Sequence, residues 1–160
     1  MFKIGDYITH PMHGAGVIES IVTKKINGSQ RDYYVLKLPV GDMVVMLPVS
    51  GCEDIGVRSI ISRSEAEKLF SAFSEIEISM TQNWNKRYRE NMDKIKSGNL
   101  LDVASVVKGL MCRDSERGLS TSERKMLHSA KQILISELVI ATDMDYDGVE
   151  KRLCAALKEG

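Results

Sequence analysis

The chain has 160 residues, 43% of them apolar and 28% charged, and its 22 Lys+Arg balance 22 Asp+Glu. That is the composition of a folded globular protein of one domain, or of two small ones with limited cores. A net charge of zero argues against a strongly basic nucleic-acid binder, unless the charge is spread unevenly along the chain.

No apolar run approaches the roughly 18 residues that a membrane span needs. The opening MFKIGDYITH carries Asp6 too early for a signal peptide. Cys52, Cys112 and Cys154 are odd in number and widely spaced. They read as the reduced thiols of a cytoplasmic protein and not as a disulfide framework.

The first sixty residues are rich in Val, Ile and Tyr and are punctuated by Gly, Pro and Asn. Phe2 to Ile8 and Gly16 to Thr23 read as strands, with Pro11 and Gly14 favouring a turn between them. Asn27-Gly28 suits the positive φ angles of a tight hairpin turn, after which Arg31 to Leu38 alternates as a strand. Gly41-Asp42 predicts a second turn, followed by a strand over Met43 to Pro48. Several short strands in so short a stretch predict a small, strongly bent antiparallel sheet or barrel, whose usable surface is an exposed edge or face.

From Ser62 onward the period becomes helical. Ser64-Glu65-Ala66-Glu67 has the spacing of a capping box and opens a helix to about Phe73. A second helix is predicted from Thr81 to Lys96, closed by Ser97-Gly98. Asp102 introduces a third, with apolar residues at 103, 106, 107, 110 and 111 on one face. Ser120-Thr121-Ser122-Glu123 is another capping pattern and opens a long helix to about Ala141. Asp147 or a neighbour caps a last helix ending near Leu157. The chain is therefore an α+β protein, with a sheet domain over residues 1–60 and a compact helical bundle over 62–160.

Charge is unevenly spread. Residues 1–60 are neutral, 61–83 carry −2, 84–131 carry +5 and 132–160 carry −3. The bundle thus has a basic middle, as phosphate contact needs, although an ordinary solvated helix face accounts for the same count. Its densest feature is Asn83-Trp84-Asn85-Lys86-Arg87-Tyr88-Arg89, which holds the chain's one tryptophan. That tryptophan is either a half-buried anchor or an aromatic that stacks on or wedges between bases, with Lys86, Arg87 and Arg89 holding phosphates. Arg113, Arg117, Arg124 and Lys125 surround the Gly118 loop and extend the same basic surface.

Enzyme chemistry finds little support. His10-x-x-His13 has no further ligand nearby, so a turn role is favoured over a metal site. Asp143-x-Asp145-x-Asp147-Gly148 copies the start of a calcium loop, but Cys154 stands where the bidentate Glu belongs. Gly14-Ala15-Gly16 does not complete a dinucleotide fingerprint, and Cys52 has no adjacent base. No catalytic residue, metal, cofactor or small-molecule substrate is expected.

Several motifs together resemble one family. Phe2-Lys3-Ile4-Gly5-Asp6, His10-Pro11-x-His13-Gly14 and Tyr34-Val35-Leu36-Lys37 are followed by Asn83-Trp84-x-x-Arg87-Tyr88. Arg113-Asp114-x-Glu116-Arg117-Gly118-Leu119-Ser120 and Lys131-Gln132-Ile133-Leu134 complete the set. In register over nearly the whole chain, they resemble the CarD/CdnL family of bacterial transcription regulators. The resemblance implies a Tudor-like β-barrel that pairs a strand with the β subunit of RNA polymerase. It also implies a helical domain at the upstream edge of the promoter bubble, where a Trp at the place of Trp84 wedges into the minor groove, beside Asn83 and the basic residues above.

The polymerase contact would then fall on Val44, Val45, Met46, Leu47 and Pro48, with Lys24 on the nearby hairpin. Family members can carry Arg at the place of Met46, so contact here would rest more on packing and on Lys24. The implied function is a non-enzymatic, cytoplasmic regulator that stabilises the open complex with little sequence preference. The competing reading is a protein-interaction adaptor whose bundle never touches DNA.

Overall fold

The computed structural model describes residues 1–39, 43–78 and 81–159 of the chain. Five strands, β1 (Tyr7–His10), β2 (Gly14–Ile26), β3 (Ser29–Lys37), β4 (Val44–Pro48) and β5 (Arg58–Ser59), precede five helices. These are α1 (Arg63–Phe73), α2 (Trp84–Lys96), α3 (Leu100–Arg117), α4 (Thr121–Thr142) and α5 (Tyr146–Glu159). The α+β class holds.

All pairings are antiparallel and the strand order is β4-β3-β2-β1-β5. The expected barrel is not closed. Among the described residues no ladder joins β4 to β5, so the sheet is open and bent, with a register shift between Ile18 and Ser20 that leaves Glu19 unpaired.

The hairpin turn follows its sequence: Asn27 and Gly28 take φ of 52° and 80°, the pair of positive angles that a two-residue loop needs to follow strand twist. The Gly41-Asp42 turn lies outside the described residues. The first strand starts later than expected, because the Lys3 amide donates to Asp6 Oδ2 (2.8 Å) and Gly5 sits at φ 94°, closing a turn before Tyr7. β5 has only two residues, too few for a period to reveal.

Helix caps shift by a few residues from their predicted places. Ser62, not Ser64, caps α1: it accepts from the Glu65 amide, and Glu65 Oε1 accepts from the Ser62 amide. Asn83 and Asn99 cap α2 and α3, so α2 starts after Thr81 and α3 starts before Asp102. Asp145, by accepting from the Gly148 amide at 2.7 Å, serves the start of α5, so this aspartate of the calcium-like motif serves a helix end. Among the described residues no group of three or more His, Cys, Asp or Glu could hold a metal ion.

Two buried clusters carry the packing. Ile8, Ile18, Tyr34, Leu36 and Leu47 form the core of the sheet, whereas Phe73, Val107, Leu110, Leu134 and Leu138 centre the bundle. Helix α4 runs between them. It packs on β2 at Gly14 and Ala15, where Ser136 Oγ accepts from the buried Ala15 amide at 2.9 Å, while Gly16 leaves room for the Lys37 carbonyl of β3. The small residues that fail as a nucleotide motif are thus a close-packing surface.

Candidate nucleic-acid interface

The predicted basic residues sit where three helix ends meet: the start of α2, the end of α3 and the start of α4. Trp84 is the first residue of α2 and 41% exposed. Its ring stacks on Tyr88 one turn later (centroids 5.3 Å, planes 22° apart), and its indole N–H donates to Ser120 Oγ at 3.2 Å. This tryptophan anchors α2 to α4, yet keeps an open face.

Asn83 is exposed and its side-chain carbonyl accepts from the Lys86 amide at 3.0 Å, so part of its role is the cap. Lys86 and Arg89, three residues apart on one side of α2, are exposed. Arg117 at the end of α3, and Arg124 and Lys125 in the first turns of α4, are exposed as well. Lys125 lines a shallow groove with Met12, Tyr88 and Met92, next to the Trp84 stack.

Arg87 is the exception and corrects the expectation of a phosphate contact. It is 2% exposed. Its Nε and Nη2 donate to the two oxygens of Glu123 (2.9 and 3.1 Å), and Nη1 donates to the Thr81 and Gln82 carbonyls (3.1 and 3.0 Å). A guanidinium with this many internal acceptors has no free edge for DNA. Arg113 is half-buried, and its charge acts on Glu123 from within the bundle. The exposed cations at this end are therefore Lys86, Arg89, Arg117, Arg124 and Lys125.

Hydrogen bonding from Arg87 holds the Glu123 carboxyl below the usual carboxylate range, against burial that opposes it. A depressed folded-state pKa contributes stability that is complete above the unfolded value and lost as pH falls through the folded one. Thermal stability is therefore expected to drop on acidification below the ordinary glutamate value of 4.5. Glu123→Gln is expected to lower the melting temperature at neutral pH and flatten that acid slope, which calorimetry across pH 3–7 would measure; an unchanged slope would contradict the assignment.

The expected polymerase face is also on the surface. Among the described residues β4 is an edge strand that pairs only with β3. Val44 (55%), Met46 (37%) and Pro48 are exposed on one of its faces and Val45 is half-buried. Leu47 is the correction here: its side chain belongs to the sheet core, so it can offer a partner only backbone groups. Lys24 is exposed and lies directly opposite Arg31 in the register, a residue the sequence reading did not single out. Neither joins an ion pair among the described residues. Two like charges face to face on a hairpin are unfavourable in isolation, which is the signal that could have drawn attention to Arg31.

Cys52, His10 and His13 are held as follows. Cys52 is buried, and burial, followed by Glu53, pushes its thiol up, away from the reactive thiolate. The His10 and His13 rings lie 4.5 Å apart, and His10 Nδ1 accepts from the Met12 amide, so the pair shapes its own turn. No helix among the described residues is long and apolar enough to cross a membrane.

Family models match the two halves in turn: a CarD-like/TRCF RID domain over residues 2–61 and a CarD C-terminal domain over residues 68–154. The chain belongs to the CarD-like family. It is also 39% identical over 140 residues to a Bacillus subtilis (strain 168) protein named "Putative transcription factor YdeB", spanning 88% of this chain and 92% of that one. This CarD-like protein accordingly belongs among transcription factors, and its function is read in the regulation of transcription.

Proposed function

We propose that this CarD-like protein is a non-enzymatic regulator that binds the β subunit of RNA polymerase and promoter DNA at once and stabilises the open complex. In this reading residues 1–60 form the polymerase-binding unit and 62–160 the DNA-binding unit. The observation that carries it is Trp84: a half-exposed aromatic at a helix tip, pre-oriented by Tyr88 and Ser120 and surrounded by exposed cations from three helix ends.

Such an aromatic can unstack or cap a base step at the bubble edge while Lys86, Arg89, Arg117, Arg124 and Lys125 hold phosphates. The contacts in this reading are to phosphates and to one base step and not to base edges, so binding is largely independent of sequence and sensitive to salt. At the other face, the β4 edge offers backbone hydrogen bonds to an added strand, and Lys24 with Arg31 favours an acidic partner surface. A neutral chain binds DNA weakly alone, so its affinity at a promoter comes mainly from the polymerase tether.

Trp84→Ala is expected to keep the folded spectrum and to shorten the half-life of the open complex several-fold in a competitor-challenge assay. Lys86→Glu with Arg89→Glu is expected to abolish binding to a forked promoter fragment at low salt. If neither substitution changes its readout while polymerase capture persists, the adaptor reading replaces this one.

A further inference from the structure

A second ion pair, its carboxylate buried and its guanidinium about one-third exposed, lies far from Trp84. Glu137, in the middle of α4 among Ile133, Leu134, Ile135 and Leu138, is fully buried. Its Oε2 accepts from Arg58 Nη1 and from the Ile61 amide, both at 2.8 Å, and its Oε1 accepts from Arg58 Nη2 at 3.1 Å. Arg58 Nε also donates to the Gly98 carbonyl at 3.2 Å. One carboxylate thus joins the edge strand β5, the connection into α1 and helix α4, and its partner reaches the turn between α2 and α3.

Stability alone does not call for a carboxylate at this buried place, since a well-packed apolar residue of similar volume usually serves as well there. What the fork adds is geometry: two parallel N–H···O bonds accept only one orientation of guanidinium against carboxylate. Next to it on α4, Ser136 Oγ holds the Ala15 amide of β2. These two neighbouring side chains grip β2 and β5 on either side of β1, and two separated anchors prevent the sheet from turning on α4.

We propose that Arg58 and Glu137 are positioning residues that fix the angle between sheet and bundle, and with it the distance from the β4 edge to Trp84. The inference rests on the bridging function above. β4 lies four strand spacings from β5, about 19 Å, so a rotation of about 10° at β5 moves the β4 edge by about 3 Å. That displacement prevents two rigid surfaces from engaging polymerase and DNA together, while leaving each free to bind alone.

The test compares wild type with Arg58→Met/Glu137→Leu and with the milder Arg58→Lys, which keeps the charge and loses the fork. Melting temperature, binding to polymerase without DNA, and binding to a forked fragment without polymerase are expected to stay at wild-type levels in at least the lysine variant. Open-complex half-life is expected to fall by about tenfold. Residual dipolar couplings of the free protein are expected to report one sheet–bundle orientation in wild type and a rotated or averaged one in the variants. Wild-type couplings in both variants overturn the positioning role whatever polymerase does, and altered couplings with a wild-type half-life overturn its functional consequence. A wild-type protein that leaves the half-life unchanged sinks the bridging function, while the couplings still decide the role of the pair.

Discussion

Replacing Arg87 by alanine is expected to lower the unfolding free energy by about 3 kcal/mol, toward the lower end of the cost of breaking a buried ion pair. The substitution leaves the Glu123 carboxylate in the interior without its two guanidinium bonds, and it also frees the Thr81 and Gln82 carbonyls that Arg87 holds. Some compensation remains, because Glu123 lies in the first turn of α4, where the helix dipole favours a negative charge. Urea unfolding followed by the single tryptophan measures the loss directly, since Trp84 sits on the same helix and its indole is tied to Ser120. Lys86→Ala and Arg89→Ala, in contrast, are expected to change stability by less than about 0.5 kcal/mol. The comparison separates the three cations of one short stretch into a structural one and two surface ones. An Arg87→Ala protein of wild-type stability but weaker DNA binding would return Arg87 to the contact surface.

The sequence marked that stretch but could not sort it, because Lys86, Arg87 and Arg89 differ only in which way α2 turns them. A clue existed: Arg87, Asn91 and Ile95 recur every four residues and form the buried face of α2. A charged residue read as part of a buried row requires a partner, and the sequence does not say that Glu123 comes within reach 36 residues later. Glu137 poses the same problem, a charge inside the apolar run Ile133 to Leu138 whose partner Arg58 stands 79 residues earlier. Features governed by local rules were legible: the Asn27-Gly28 turn, the order of the first four strands and of the helices, and the Gly118 end of α3. Closure of the sheet was not, since whether β4 meets β5 depends on long-range twist. The resemblance supplied the two proposed partners, and the geometry then distinguished Leu47, which faces the core, from Val44 and Met46, which do not.

Gly14→Ala is expected to cost about 3 kcal/mol, from backbone strain together with a clash that has no cheap escape. Gly14 holds φ 90°, a conformation that residues with a Cβ rarely adopt, and the added carbon would lie 2.6 Å from Ser136 Oγ and 3.3 Å from the Ile133 Cα. The serine could rotate away only by releasing the buried Ala15 amide, and the α4 backbone at Ile133 cannot yield alone. Gly28→Ala is the control: φ is again positive, at 80°, but nothing lies within 4 Å, so only strain remains and about 1 kcal/mol is expected. The difference between the two in denaturant unfolding measures how tightly α4 is seated on β2. Gly14→Ala/Ser136→Ala is expected to recover part of the loss by removing the nearer clash, and not all of it, because the Ala15 amide then has no acceptor. Full recovery would mean that the sheet slides along α4 to accommodate the methyl group. A contact that can slide could not hold β4 and Trp84 at one spacing, so this stability measurement also bears on whether the protein can act as a rigid bridge.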